Sequence, residues 1–320
     1  MNDNIYIPNF KSIFKDELFD FIMFKRSNGY KYGRRKCYNF IRLDTFFIHY
    51  KLDEKKITNE CIDEWLKQFS SLSINTKQLY YGVIHMFTEY LVCRNYTNIT
   101  IPSINYFNGK SGFVPYIYTK KELKDIFNES KNNDTLYMTL HLLYHCGLRI
   151  SEVGNLKLSD FNIFNKTIII RHSKNDVTRL IPLTDAITSM LQNYIGSKNL
   201  NQNDYIFECK NKRQTFQLKT RDNFHKVLEK TQIKKRENDK WPRLHDLRHT
   251  FAVHALEQMQ DKGFDLYTSL PSLSIYLGHK SIVETEYYLR FTSSYSNKVL
   301  TSNEYIDDLY IEKETYKNEW

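Results

Sequence analysis

Apolar residues in the first hundred positions recur at helical spacing. Phe14, Leu18, Phe21, Ile22 and Met23 form one stripe, and Phe40, Leu43, Phe46 and Phe47 a second. Cys61, Trp65, Leu66 and Phe69 mark a third stretch, and Tyr80, Val83, Ile84, Phe87, Tyr90 and Leu91 a fourth. This spacing predicts four helices around one core, with a basic, glycine-punctuated loop from Lys31 to Lys36 between the first two. The pattern then breaks. Residues 96–118 hold Pro102, Gly109, Gly112 and Pro115 among many Asn, Ser and Thr residues, a linker composition. Thr119 with Glu122 forms a capping box opening a helix through Leu123, Ile126 and Phe127, and a second helix is expected from about Asp134 to Cys146. Two β-branched runs, Thr167 to His172 and Arg179 to Leu183, flank a polar turn at Ser173 to Asp176 and predict a hairpin. A helix is expected from Leu244 to Met259. A second capping box at Ser281 to Glu284 should open a short helix reaching about Leu289. The expected fold is mainly α with a small antiparallel β-sheet. It comprises a helical domain over 1–95, a linker over 96–118, a mixed α/β domain over 119–300 and a tail over 301–320.

Composition narrows the class. The chain has 320 residues, 41% of them hydrophobic, which is enough apolar material for packed cores. Its longest run free of Asp, Glu, Lys and Arg, Asn95 to Gly109, falls short of the roughly 20 apolar residues of a membrane span. Asp3, Lys11, Lys15, Asp16 and Glu17 interrupt any apolar core of a signal peptide. Five cysteines at wide spacings, without a CxxC, read as reduced thiols of a cytoplasmic protein. The net charge of +9 points to an anionic partner. The stretch Glu304 to Glu319 carries six acids against two lysines, so the positive excess lies elsewhere, spread over both domains.

Four separated segments together supply what a phosphoryl transfer needs. They are His145-Cys-Gly-Leu-Arg149-Ile-Ser-Glu152, Lys174 at the hairpin turn, Leu244-His245-Asp-Leu-Arg248-His249-Thr, and Leu277-Gly-His279-Lys followed by Thr285-Glu-Tyr287-Tyr288-Leu-Arg290. Singly, each has a plain explanation: a salt-bridged arginine, a solvated turn lysine, a packed histidine, and one of 24 tyrosines in a core. Attack on a phosphodiester needs a nucleophile, neutralised non-bridging oxygens and a proton for the leaving oxygen. Arginine suits those oxygens because its planar fork makes paired, charge-assisted bonds, so Arg149 and Arg248 are the candidate clamp. His245 and Arg248 lie three apart on one predicted helix and face the same phosphate. His141 with His145, and His245 with His249, have i,i+4 spacing that could suggest zinc. Both pairs lack the glutamate of HExxH and a third ligand, so His141 and His145 read as packing residues and no metal or other cofactor is expected.

The ordered set, Gly-Leu-Arg-x-Ser-Glu, a hairpin lysine, His-x-x-Arg-His, then Leu-Gly-His with a tyrosine nine residues later, resembles the tyrosine recombinase (phage-integrase-like) family. Residues 119–300 resemble its catalytic domain and residues 10–95 its helical core-binding domain. The stretch Leu270 to His279 is most similar to transposon- and plasmid-borne members. The segment from His254 to Leu277 is longer than in compact recombinases, and the stretch Gln258 to Phe264 makes it polar.

The resemblance implies that His245 and His279 hydrogen-bond the phosphoryl oxygens, His245 also accepting the tyrosine proton, and that Lys174 is the general acid for the leaving 5′ oxygen. The family's spacing from the Leu-Gly-His histidine, His279, implies Tyr288 as nucleophile. The neighbouring Tyr287 points about 100° away round the helix. A phenol of pKa ~10 needs a cationic field or a base, and the two arginines offer the field. The activity implied is metal-independent, site-specific cleavage and rejoining of DNA through a 3′-phosphotyrosyl intermediate, serving integration or excision of a mobile element.

The implied partners are double-stranded DNA, a homotetramer in the synaptic complex and accessory DNA-bending proteins, with no membrane. Two other readings stay open: a DNA-binding protein without activity, and a type IB topoisomerase-like relaxing enzyme. Lys31, Arg34, Arg35, Lys36, Asn75, Thr76 and Lys77 are candidates for phosphate contacts, or a solvated basic face. The tail, with Tyr305, Ile306, Leu309, Tyr310 and Ile311 among its acids, is either a helix docking on a neighbouring protomer or a frayed terminus.

Overall fold

A computed structural model of the chain describes residues 6–52, 54–96, 114–171, 178–207, 213–236 and 239–292. It divides into two units, Met1–Phe113 and Val114–Trp320. Lys174 and the acidic tail lie outside the described residues.

The first unit contains α1 (Lys15–Ser27), α2 (Arg34–Tyr50), α3 (Asn59–Lys67) and α4 (Ile74–Cys93). Their inward stripes meet in an aromatic core: Phe14, Phe21, Phe40, Phe47, Trp65, Phe69 and Phe87 are almost wholly buried. Phe87 meets Phe14 and Phe21 in T-shaped contacts at centroid distances of 5.6 and 6.0 Å, the arrangement ring quadrupoles favour. The Trp65 indole N–H donates to the Tyr80 carbonyl at 3.0 Å, so its polar handle is satisfied inside the core. Buried Asp44 accepts from the backbone N–H groups of Lys11 and Ser12 at 2.8 and 2.9 Å, which ties the entering segment to α2.

Two expectations change in this unit. Met23, on the predicted apolar stripe, is 43% exposed because it sits beside the buried Phe21–Ile22 pair rather than on its face. The basic stretch is not all loop. Gly33 is extended, and Arg34, Arg35 and Lys36 form the first, exposed turn of α2. Three cations stand where the helix dipole disfavours them, an arrangement that an anion would relieve.

The second unit opens with the expected capping box. Thr119 Oγ1 accepts from the Glu122 N–H at 3.2 Å and the Glu122 carboxylate accepts from the Thr119 N–H at 2.8 Å. It starts α5 (Lys120–Ser130), followed by α6 (Asp134–His145), whose residues from Leu136 through Leu143 are buried on nearly every side. A helix buried on nearly every side belongs at the centre of a unit, and α6 holds that place. After the single turn α7 (Ile150–Val153) come β1 (Phe161–Asn162), β2 (Thr167–Ile170) and β3 (Arg179–Pro182), an antiparallel sheet in the order β1-β2-β3. β1 was not anticipated; two residues are too short to show periodicity.

The register pairs Ile168 with Ile181 and Ile170 with Arg179, which turns these four side chains to the buried face. α8 (Asp185–Gly196) and α9 (Arg213–Leu228) follow. α10 (Leu244–Asp261) packs against α6, and α11 (Leu266–Leu277), α12 (Val283–Glu286) and a 3₁₀ turn over Tyr287–Phe291 complete the described unit. The capping box expected at Ser281 is not formed. Ser281 Oγ accepts from the Val283 N–H at 3.3 Å instead, and only one α-helical turn forms before the backbone tightens into 3₁₀ geometry. No described helix is long and apolar enough to cross a membrane.

Candidate active site

Three carbonyls at the end of α11 organise the site. A helix leaves its last carbonyls without intrahelical partners. Here they are taken by guanidinium groups: Arg179 Nε donates to Tyr276 O at 2.8 Å, Arg248 Nη2 to Leu277 O at 2.5 Å, and Arg149 Nη2 to Gly278 O at 3.3 Å. Positive charge at a helix C-terminus is also favoured by the dipole. Gly278 makes the approach possible. It is left-handed at φ 66°, and a Cβ there would stand 3.0 Å from Arg179 Nη1.

Gly147 does the same for the opposite wall. At φ 59° it turns the chain out of α6, and a Cβ would lie 2.5 Å from the Phe251 ring. Its carbonyl accepts from Arg248 Nη1 at 2.6 Å. The two glycines of the Gly-Leu-Arg and Leu-Gly-His strings are thus needed by the arginines beside them.

At the centre lies Glu152. Arg179 grips its carboxylate with a fork of 3.0 and 2.8 Å, and Arg149 Nη1 reaches Oε1 at 2.9 Å. Arg248 stands at 3.8 Å. Burial alone would raise the Glu152 pKa. The hydrogen bonds and charge of Arg179 outweigh it, with help from the Arg149 N–H and Arg248, and hold the carboxyl below its ordinary range. Three guanidinium groups around one carboxylate leave two positive charges, which suits an anion seated beside Arg149 and Arg248.

Asp246, wholly buried, starts α10 by accepting from the Arg243 N–H at 2.8 Å. That fixes the helix on which His245, Arg248 and His249 share one face, since positions three and four apart lie side by side. The rings of His245 and His249 meet edge to face, 4.6 Å between centroids. His279 follows the Gly278 turn, and its Nδ1 shares a hydrogen bond of 2.8 Å with Thr285 Oγ1. Burial, and then the nearby arginines, push His245 down to about 4. Burial leads again for His249 and His279, both at about 3, the next cause being His245 for the former and Arg248 for the latter. All three imidazoles are therefore neutral at physiological pH.

Tyr288 is 3% exposed in a cluster with Ala252, Val253, Leu256, Leu273 and Leu277. Its hydroxyl makes a hydrogen bond of 2.9 Å with His249 Nδ1. Here the expected electrostatics change. The cationic field is present, but burial outweighs Arg248 and Arg149 and the phenol is raised above its ordinary pKa. Tyr287 packs edge-on against Phe291 and lies under the Arg290 guanidinium, its ring 6.3 Å from that of Tyr288.

Five of the six expected site residues, Arg149, His245, Arg248, His279 and Tyr288, come together on these elements; the sixth, Lys174, is outside the described residues. His141 and His145 stack with Phe127 on α5 and α6, away from this group. Three participants were given no role from sequence. Glu152 carries no separate signal inside its motif. The spacing of His249 suggests only half of a zinc pair. Arg179 carried a usable signal: strand alternation places it on the same face as Ile181, where a lone cation needs a buried partner.

The profile of the phage integrase family matches residues 117–294. A tyrosine recombinase of Pseudothermotoga lettingae is 28% identical over 257 residues, which cover 76% of this chain and 82% of that protein. Among solved structures, XerH site-specific recombinase bound to its difH substrate aligns with a TM-score of 0.63 at 19% identity, covering 93% of this chain and 90% of that one. The Tn1549 transposon integrase in complex with transposon right-end DNA aligns with a TM-score of 0.59 at 16% identity, covering 85% and 94%. Likeness at those identities speaks for a common fold.

Proposed function

The chain belongs to the phage integrase family and is a tyrosine recombinase, a site-specific enzyme that breaks and rejoins DNA strands, and we propose that Tyr288 is the nucleophile with which it does so. The observation that carries this reading is the position of the Tyr288 hydroxyl, hydrogen-bonded to a neutral histidine in a cluster that holds two surplus positive charges. A phosphodiester of duplex DNA brings the missing negative charge. Arg149 and Arg248 take its non-bridging oxygens, and neutral His245 and His279 donate further hydrogen bonds as charge builds in the transition state. Tyr288 Oη attacks phosphorus, the P–O5′ bond breaks, and the 5′ oxygen leaves with a proton from Lys174. The 3′-phosphotyrosyl bond keeps the energy of the broken linkage, so rejoining to a new strand needs no nucleotide.

Strand exchange between two duplexes needs four such sites, hence a homotetramer on DNA, serving integration or excision of a mobile element. The exposed first turn of α2, with Arg34, Arg35 and Lys36, supports a phosphate contact from the first unit.

A suicide oligonucleotide, nicked so that the cleaved strand cannot rejoin, tests the nucleophile. Tyr287→Phe should still form the covalent adduct and Tyr288→Phe should not. Adduct in Tyr288→Phe would overturn the assignment. Product in a two-site assay, rather than supercoil relaxation alone, separates a recombinase from a topoisomerase-like enzyme.

A further inference from the structure

We propose that His249 is a catalytic residue: its Nδ1 accepts the Tyr288 proton during strand cleavage and returns it during rejoining. The inference rests on Tyr288 being the nucleophile. It departs from the role that the family resemblance gives His245, which sits one turn earlier on α10.

Geometry carries it. The Tyr288 hydroxyl meets His249 Nδ1 at 2.9 Å, within the distance at which a base takes a proton directly. For Nδ1 to accept, the neutral ring keeps its proton on Nε2. The His249 and Tyr288 centroids are 5.5 Å apart, and the His279 ring lies 6.1 Å from Tyr288, so two imidazoles neighbour the phenol. His279 Nδ1 is already engaged with Thr285. His245 presents its ring to His249 at 4.6 Å, and the phenol hydroxyl reaches the later of the two histidines. That division leaves His245 to the phosphoryl oxygens and His249 to the nucleophile.

The charged surroundings explain why this base would act only with substrate bound. The groups that face the His249–Tyr288 pair are His245 and Arg248 from α10, Arg243 just before it, His279 from the turn after α11, Arg149 just before α7, and Glu284 and Tyr287 from the segment bearing Tyr288. Positive groups dominate, and with burial they make imidazolium unfavourable in the empty site. A phosphodiester on Arg149 and Arg248 cancels much of that field, so docking strengthens the base beside the nucleophile. In the step itself, the Tyr288 Oη–P bond forms as the O–H bond breaks, its proton passing to Nδ1. The electron pair of the broken P–O5′ bond leaves on the 5′ oxygen, which is protonated by the general acid. Rejoining runs the same transfers backwards, with no external oxidant or cofactor.

The test uses the full-length protein and a nicked oligonucleotide with a sulfur in place of the scissile 5′ oxygen. Sulfur leaves without a proton, so the assay isolates nucleophile activation. His249→Asn keeps a hydrogen-bond acceptor near the Nδ1 position without a protonatable atom. Its single-turnover cleavage should fall roughly 10²-fold near neutral pH. The deficit should then shrink about tenfold per pH unit as solvent ionises a growing share of the phenol, whose pKa burial holds above its ordinary value.

A rate within threefold of wild type, or a deficit constant with pH, would overturn the proposal; the second outcome marks a merely positioning residue. Should the variant not fold, the wild-type profile decides. A rate climbing tenfold per unit from pH 7 to 9 means that the phenol ionises to solvent before attack, against the proposal; a plateau agrees with it. Tyr288→Phe in the same assay keeps the two claims apart. Adduct there would refute the nucleophile itself, whereas failure of His249 alone leaves it standing.

Discussion

Replacing Arg179 by methionine probes the ion cluster on which the site is built. The wild-type fork spans 3.0 and 2.8 Å to a carboxylate that is 5% exposed, and a third bond of 2.8 Å runs to the Tyr276 carbonyl. Removing one partner of a buried ion pair costs about 3–5 kcal/mol, because the other charge is left without compensation. Arg149 still reaches Glu152 at 2.9 Å, which places the expected loss at the lower end, about 3 kcal/mol at pH 7.

The pH dependence follows from sign. In the wild type the folded Glu152 pKa is depressed below its ordinary 4.5, so its stabilisation is present above that value and is lost as pH falls through the folded pKa. Without Arg179 the burial effect dominates and the folded pKa rises. The variant is then penalised at neutral pH and relieved on acidification. Urea unfolding at pH 7 and at about pH 4.5 should therefore show the gap between the two proteins narrowing in acid. A loss below 1 kcal/mol at pH 7, or a gap that widens in acid, refutes the reasoning. Methionine retains much of the apolar stem, so lost packing is a minor part of the effect.

Three further outcomes are expected. Gly278→Ala forces a left-handed Cβ to within 3.0 Å of Arg179 Nη1 and should cost about 1–2 kcal/mol in thermal unfolding while lowering the cleavage rate, whereas an unchanged rate would separate this turn from the site. Changing Arg34, Arg35 and Lys36 together to glutamine should lessen the salt dependence of DNA binding by roughly one unit of slope per lost phosphate contact; an unaltered slope would make the turn a solvated surface. Phe87→Ala removes a fully buried ring in T-shaped contact with Phe14 and Phe21 and should destabilise the first unit by about 3–5 kcal/mol, read by near-ultraviolet circular dichroism in urea.

Much of this molecule is legible in its sequence where a local rule decides. The stripes through Phe14, Phe40, Trp65 and Phe87 become the helices they predict, and the Thr119 box caps its helix because both halves of the motif lie within one turn. The two strands of the hairpin pair with Ile168, Ile170 and Ile181 inward, while its turn lies outside the described residues. Reading failed where a longer-range partner decides. Arg34 to Lys36 are helical although the dipole opposes them. The Ser281 motif yields to the tight turn that brings Tyr288 under α10. In the site, motif spacing singles out the residues proposed to act on phosphate, but not those that hold them. Arg179 is 27 positions from Glu152, and His249 is 39 from Tyr288, so neither pairing has a local signature. The sign of the Tyr288 shift was also beyond the sequence, since it depends on how deeply the ring is buried against Leu273 and Leu277.

The central claim is that one tyrosine out of 24 carries the DNA. Its most direct test is to trap the adduct on a suicide oligonucleotide, digest protein and DNA, and identify the modified residue by fragmentation mass spectrometry. The account predicts a nucleotide remnant on the peptide containing Tyr288, with fragment ions that exclude Tyr287. A remnant on Tyr287 or on any other residue would contradict it.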